Sequence, residues 1–474
     1  MSAHDCDVLV IGGGISGLAN AWWLAREGLS VEVWEADSRA GGKIQSTQKD
    51  GYLTERAAAM VMNFRPEVTD LMRETGLEEV KSARMPASEA HRYLLHQGEL
   101  KALPMRLGAM LASPLWSPLG KMRLLLEPFI LTSGAMDESV SDFVSRRLGR
   151  EMLEKAMEPF VAGTLAADPD RTSATAALPR LTALEERYGS IAAGIFVNRI
   201  LNRRTATNTE TFSFNGGIGT LVETLAQSPG IKMRFGHIAE ELHRTKGGWR
   251  ASAKTGEDQR TLNAQHVIVA TPAPIAASLL KPLDNQLAEL LRGITYASIA
   301  VVHAGLDSST ISHPLDGTGF LAPKDEGSAL TGNLWMSSLF SDRAPAGKTL
   351  MTSYLGGSRA PQAIDWNDDR LLDETLHSLK PLLGLRGEPE MVHVDRHRQA
   401  LPVYHGAYQG RIEAIELQLQ LLPGLHLEAN YIGGVSVRDR LARGQMLASQ
   451  IMTERNQLPS RQRVMERMGV VVEK

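Results

Sequence analysis

Three glycines at fixed spacing, in a six-residue run that holds four, constrain this chain more than any other feature in it. Asp7-Val8-Leu9-Val10-Ile11 is a short apolar run, the pattern of a strand buried on both faces of a parallel sheet. It leads into Gly12-Gly13-Gly14-Ile15-Ser16-Gly17. The spacing G-x-G-x-x-G at Gly12, Gly14 and Gly17 gives each glycine a separate task. The first permits a tight turn, the second lets backbone approach a pyrophosphate, and the third lets a helix pack closely on the strand. A helix is expected from about Ile15 to Glu27, its amide-rich N-terminus aimed at the phosphates, with Gly28 as its stop. The following strand, Ser30 to Trp34, ends at Glu35, where a carboxylate accepts the ribose hydroxyls of an adenosine and disfavours a 2′-phosphate.

FAD and NAD share that adenosine half, and the next residues choose between them. Arg39-Ala40-Gly41-Gly42-Lys43 resembles the R-x-G-G-[KR] pattern that follows the acidic strand in a large group of FAD oxidoreductases. Its glycines allow a second close backbone pass, and Arg39 and Lys43 are expected near the cofactor's phosphates. FAD is therefore the expected cofactor.

A chain of 474 residues is too long for one simple core and suggests two or three domains, some discontinuous. The formal net charge of -3 argues against a general nucleic-acid binder. The single cysteine, Cys6, forms no internal disulfide, so a cytoplasmic location is expected, and it reads as a small apolar filler at a strand start. The apolar stretch from Val8 to Leu24 is broken by four glycines and lacks the basic leader of a signal peptide. No uninterrupted apolar run has the length of a membrane span.

Beyond the nucleotide motif the sequence resembles protoporphyrinogen oxidase, an FAD- and oxygen-dependent family, from Asp7 to about Met452. The resemblance rests on His91-Arg92-Tyr93 with Leu103-Pro104, and on the run from Pro159 to Pro169 (PFVAGTLAADP). It continues through Thr211 to Gly217 (TFSFNGG), Val267 to Pro274 (VIVATPAP), and Ser337 to Pro345 (SSLFSDRAP) with Tyr354 to Ser358. It ends in Pro423 to Asn430 with Gly433-Gly434-Val435-Ser436-Val437. Ser337 to Pro345 and Tyr354 to Ser358 resemble that family's substrate-domain strands, and the Gly433-Gly434 turn is expected to open a helix from about Val437 to Met452.

The resemblance implies an α/β architecture: an FAD-binding, doubly wound Rossmann-like domain interleaved with a mixed-sheet substrate domain and a helical subdomain. The nucleotide domain takes roughly 1–85, 205–285 and 398–457, and the substrate domain 86–100, 172–204 and 286–397. Residues 101–171 are expected to be helical. Their apolar runs with scattered cations suit either packing on each other or a partner subunit, or the peripheral membrane contact that the resemblance implies. Residues 458–474 are expected to form a charged, frayed tail. The implied reaction oxidises a porphyrinogen, with molecular oxygen as acceptor. By resemblance Arg92 pairs with a substrate propionate, Leu321 and Leu334 sandwich a pyrrole, Tyr354 stacks on another ring, and Ala167 borders the cavity. The implied FAD contacts are Gly12, Gly13, Gly14, Ile15, Ser16, Gly17, Glu35, Ala36, Arg39, Gly42, Lys43, Ala57, Ala58, Ile238, Asn430, Gly434, Val435, Ser436 and Val437. No side chain is required as a strong base, because pyrroles spread the charge left by a departing hydride. A homodimer is a further expectation.

The sequence departs from the family where the flavin ring would lie. Arg56-Ala57-Ala58-Ala59-Met60 stands where a glycine, often followed by proline, is usual. Ala167 replaces a glycine, and Glu428-Ala429 replaces Ala-Gly. Strain is expected at these alanines, together with a narrower cavity and negative charge from Glu428 near the cofactor. These departures keep two other readings open: a related oxidase or desaturase of an amine or polyene, or a flavin-binding homologue with degraded catalysis. His393-Val394-Asp395-Arg396-His397 places two histidines and an acid on one face if extended, either a metal trio or a solvated strand face. His303, His313 and His405 have no partners at ligand spacing.

Overall fold

The computed structural model describes residues 4–104, 107–130, 132, 134–135, 137–200 and 209–467. Strands Ile231–Arg234, Val31–Trp34, Cys6–Ile11 and Asp258–Val269 lie side by side in parallel, with Leu425–Leu427 added beyond Asp258–Val269. Val8 and Val10 face a cluster with Leu18, Trp23 and Leu441, while Leu9 and Ile11 face Val267, Ala273 and Leu291 on the other side. Burial on both faces is why Val8 to Ile11 shows no polar alternation. Helices Ile15–Arg26 and Val437–Arg467 cover the first face. Cys6, 8 % exposed, sits in the second cluster, and burial pushes its thiol up to about 12.

The second sheet is mixed. Its order is Met391–Pro402, Tyr296–Asp307, Lys348–Gly356, Leu330–Trp335, Gly317–Leu321, His91–His96 and Glu99–Ala102. Only His91–His96 with Gly317–Leu321 is a parallel pair. One face, with Ala300, Val302, Leu306, Met351 and Leu355, packs on Leu371, Leu379 and Leu383 of helix Asp368–Leu383. The opposite face turns toward the nucleotide domain: a Cβ on Gly305 would meet the Tyr52 ring at 2.5 Å.

Several element expectations need correction. Ser337 to Pro345 is not strand; it is the end of the short helix Met336–Leu339 and a loop. Lys101 and Ala102 end strand Glu99–Ala102 rather than beginning helix. The substrate sheet extends past residue 397, since Met391–Pro402 is one strand. Helices Pro179–Tyr188 and Ile191–Ile200 join the helical layer, because Leu178, Leu184 and Ile191 share a cluster with Val140 and Phe143. Glu127 fixes that packing. Only 1 % exposed, it accepts from Ser190 Oγ at 2.7 Å and from the Ile191 and Ala192 amides at 2.9 and 3.0 Å, with Arg147 as its counter-ion. A buried pair is tolerated when its remaining lone pairs are met in this way. The last helix runs on to Arg467, past the expected end at Met452. Residues 468–474 of the expected tail lie outside the described residues.

Candidate active site

The glycine loop has the geometry its spacing requires. Gly12 adopts φ 108°, and a Cβ on Gly17 would lie 1.9 Å from the Gly12 carbonyl oxygen. Gly14 caps helix Ile15–Arg26 without any side-chain cap, and a Cβ there would find no protein atom nearer than 4.0 Å. The space before the helix amides is therefore open, as a phosphate cradle demands. Ser16 is buried and Ile15 partly so. Glu35, 8 % exposed, holds the loop by accepting from the Gly13 amide at 2.7 Å and the Asp37 amide at 2.8 Å, while Ala36 is exposed beside it. The carbonyl of Glu35 accepts from the His237 amide at 2.9 Å, which places the exposed Ile238 next to this strand end.

Gly42, at φ 56°, lies against Gly14, so close that a Cβ would stand 3.2 Å from its Cα. The second backbone pass exists, but the two cations flanking it act differently from expectation. Arg39 donates to the carbonyls of Ala40, Gly42 and Ile44 at 2.9, 2.6 and 3.1 Å, so it shapes the loop. Lys43 donates to the carbonyls of Gln399 and, at 2.8 Å, Ala400, tying the loop to the substrate sheet. Burial lowers its ammonium to about 8. Both charges are directed at protein carbonyls.

At the other end of the chain Gly433 and Gly434 adopt φ 73° and 104°. Ser436 donates to Asp439 at 2.6 Å as Val437 begins the last helix. That helix also staples the preceding loop from behind. The almost fully buried Arg440 donates to the carbonyls of Ala429 and Ile432, beside Asn430, and Arg443 meets Glu428 at 2.6 Å. The expected stray negative charge at Glu428 is thus neutralised by the helix. Val435 packs against the nucleotide core. The expected alanine strain is also absent: Ala57, Ala58 and Ala167 all have negative φ, and the left-handed residue is Ala166 at φ 54°.

Strand register collects four of the five expected substrate residues on one face. Leu94 pairs with Leu321, Leu321 with Gly332, Leu334 with Thr352, and Gly332 with Tyr354. Arg92, two residues from Leu94, shares that face. Arg92 is exposed and Tyr354 partly buried, and burial, then the Glu55 charge, raises the Tyr354 phenol. Leu321 packs where a Cβ on Gly163 would fall 2.5 Å away. Ala167 is not part of the face; it is 1 % exposed among Val140 and Phe143. Opposite the face stand Tyr52 to Met60, with Leu334 and Met60 both packed against the cluster that holds Tyr52 and Ala59.

The same face carries a polar cluster in which the sequence singles out His393, Asp395 and His397 but not their partner His303. His303 pairs in register with Thr352 and His393, and Val301 with Asp395. His303 is fully buried, its Nδ1 2.9 Å from Thr352 Oγ1 and its Nε2 3.5 Å from Asp395. Asp395 also approaches His393 at 3.2 Å and Arg56 at 3.5 Å, and His397 Nε2 lies 2.7 Å from the Arg56 carbonyl. Burial pushes the His303 imidazole down. Burial also opposes the Asp395 charge, but the histidines and Arg56 together hold that carboxyl low. The cluster clamps Arg56, and with it the Ala57-Ala58 segment, onto the substrate sheet. A further tie is buried Glu55, which accepts from Ser46 Oγ at 2.6 Å and the Ile218 amide at 3.0 Å, with Arg343 at 3.4 Å. Burial pushes it up to about 7. The signal for His303 was its place on a long strand, and pairing across strands is invisible to spacing along one. Among the described residues no group of three or more His, Cys, Asp or Glu side chains could hold a metal ion.

Comparison with known proteins agrees with this geometry. Residues 15–433 match the family described as flavin containing amine oxidoreductase. The chain is 31% identical over 468 residues to protoporphyrinogen oxidase 2, chloroplastic/mitochondrial, of Arabidopsis thaliana, covering 92% of each chain. It is 29% identical to coproporphyrinogen III oxidase of Bacillus subtilis (strain 168), covering 96% of this chain and 99% of the relative. A crystal structure of a candidate protoporphyrinogen oxidase from Exiguobacterium sp. 255-15 superposes with TM-score 0.78 at 25% identity, covering 96% of this chain and 100% of that one. A putrescine oxidase variant at 16% identity and TM-score 0.70, covering 95% of this chain and 99% of that one, shares the fold. With an FAD-binding Rossmann-like fold interleaved with a mixed substrate sheet, this chain belongs to the flavin containing amine oxidoreductase family and is closely related to the porphyrinogen oxidases.

Proposed function

We propose that this chain is an FAD-dependent oxidase of a porphyrinogen, protoporphyrinogen IX or coproporphyrinogen III, with molecular oxygen as acceptor. The observation that carries the proposal is the single sheet face bearing Arg92, Leu321, Leu334 and Tyr354, set opposite the segment from Tyr52 to Met60. The cradle fits FAD: the amides from Gly13 to Gly17 would hold the pyrophosphate, Glu35 would take the ribose hydroxyls, and the turn from Gly434 to Val437 would help hold the flavin. FAD, when bound, would supply the two-electron acceptor for the methylene bridges of the macrocycle, with oxygen as the final acceptor. Arg92 takes a propionate in a charge-assisted, bidentate pair. Leu321, Leu334 and Tyr354 hold the pyrroles by apolar and ring contact. The His303–Asp395 clamp fixes Arg56 to Ala58 against the sheet, and catalysis rests on that positioning and on excluding water.

Aerobic turnover tests the reading. Porphyrin fluorescence should develop with either porphyrinogen, whereas amines and polyenes should give no peroxide. Arg92→Ala should raise KM by about tenfold, the loss of one charge-assisted pair, with the flavin spectrum unchanged. An unchanged KM removes Arg92 from the site, and turnover of an amine alone replaces the porphyrinogen reading.

The proposal includes peripheral membrane contact, suited to a poorly soluble substrate. Leu119, Met122, Leu125 and Phe129 are 73%, 53%, 52% and 76% exposed, and Phe196 and Ile200 of a second helix are each 64% exposed. Lys121 lies among the first group, the mixture an interfacial surface uses, whereas Arg123 turns inward to donate to the carbonyls of Arg146 and Arg147. No helix among the described residues is long and apolar enough to cross a membrane.

A further inference from the structure

Two arginines stack on one phenylalanine beside the candidate flavin loop, and a third adjoins it in the chain. The Phe64 ring lies between the guanidinium of Arg180, 3.7 Å from its centroid, and that of Arg438, at 4.1 Å. Arg65 is the adjoining residue, and its buried Nε has no hydrogen-bond partner. One carboxylate answers these charges: Asp439, 3.3 Å from Arg438 and 3.7 Å from Arg65, and already accepting from Ser436. Arg438 also donates to the Met62 carbonyl at 2.7 Å. Arg180 is exposed and makes no hydrogen bond or ion pair among the described residues. Burial, then the charges of Arg438 and Arg65, disfavours its protonated state, with Asp439 opposing them.

Stacking on an aromatic face leaves the N–H edges of a guanidinium free. Helix Pro66–Glu74 begins here, with Arg65 as an N-cap lacking a side-chain cap, and helix Val437–Arg467 begins one residue before Arg438. Both helix starts add positive partial charge, although Ser436 Oγ accepts from the Asp439 amide at the second. The cluster spans the nucleotide domain and the helical layer, since Arg180 belongs to helix Pro179–Tyr188. Arg92, on the substrate sheet, is outside it.

We propose that Arg65, Arg180 and Arg438, gathered around Phe64, bind a substrate carboxylate other than the one taken by Arg92. This rests on the porphyrinogen reading and deepens it. A tetrapyrrole with carboxylates on all four pyrroles, such as coproporphyrinogen III, is then preferred over one with two. Arg180 is the residue to change, because beyond its stacking on Phe64 it makes no hydrogen bond or ion pair among the described residues.

The test is fluorescence-quench titration of the full-length flavoprotein with coproporphyrin III and protoporphyrin IX. Arg180→Gln should weaken coproporphyrin III about tenfold and protoporphyrin IX less than about twofold, and Arg180→Glu should weaken the former further. Arg180→Lys should recover part of the loss, since it restores charge but not the fork. Equal effects on both porphyrins, or none, overturn the site. Citrate provides a probe independent of the porphyrin reading, through its effect on Tm. Binding of neither porphyrin, with citrate still raising Tm in the wild type and not in Arg180→Gln, contradicts the porphyrinogen reading and upholds the carboxylate site. No Arg180-dependent response to any of these probes overturns the site itself.

Discussion

At the scale of single residues, Gly14 and Gly17 separate folding from binding. A Cβ on Gly17 would collide with the Gly12 carbonyl at 1.9 Å, whereas one on Gly14 meets nothing nearer than 4.0 Å. Gly17→Ala should therefore cost about 3 kcal/mol in urea unfolding through forced separation of helix and strand. Gly14→Ala should leave unfolding of the flavin-free protein within about 0.5 kcal/mol of flavin-free wild type while filling the phosphate cradle. Its measured signature is loss of bound flavin from a protein of normal stability; retained flavin would remove Gly14 from the cradle. Such glycines are legible in a sequence because the constraint is on the backbone and local. The side-chain roles were less legible. Arg39 and Lys43 lie where spacing puts them, yet their hydrogen bonds go to carbonyls that only the fold brings near. The alanines at 57 and 58 looked strained only on the assumption of a glycine-like backbone, which the chain does not adopt.

At the scale of elements, strands buried on both faces were readable from their unbroken apolar runs. Pairings between distant strands were not. His303, without partners along its own strand, gains Asp395 and His393 from a neighbour nearly a hundred residues away in the chain. The pair of strands Asp258–Val269 and Leu425–Leu427 brings His266 and His426 together in the same way, at 3.3 Å. Burial, then the neighbouring His266, pushes His426 down from 6.5 to about 3. The unfolded chain takes up a proton as pH falls below 6.5, and the folded one does not until about 3. Stability from this group is therefore complete above 6.5 and declines across that window, by no more than about 1.4 kcal/mol per pH unit for one proton. Urea unfolding at pH 7 and 5 should show the decline in wild type and a shallower one in His426→Gln. Equal slopes would mean that His426 titrates normally.

At the scale of the whole molecule, the nucleotide domain and the substrate sheet are joined by ties from one short stretch of chain: Lys43 to Gln399 and Ala400, Glu55 to Arg343, and Arg56 to Asp395 and His397. The interleaved architecture was legible from motif order, but the boundary was not. The helices after residue 172 follow Glu127 into the helical layer, a capping interaction across some sixty residues that no local pattern announces. The exposed apolar surface of that layer belongs to this scale as well. Co-sedimentation with anionic vesicles should fall several-fold in Leu119→Ser with Phe129→Ser, since both side chains are mostly exposed and loss of apolar area weakens interfacial binding. Their exposure should leave Tm unchanged, and wild-type protein that ignores vesicles would sink the membrane proposal. The central claim, that a flavin held by this fold oxidises a porphyrinogen, is tested most directly by mixing the purified holoprotein anaerobically with protoporphyrinogen IX or coproporphyrinogen III. The expected result is bleaching of the oxidised-flavin absorbance within the time of turnover, followed on admission of air by its recovery and porphyrin fluorescence. A bound flavin that dithionite reduces and neither porphyrinogen does would contradict the account.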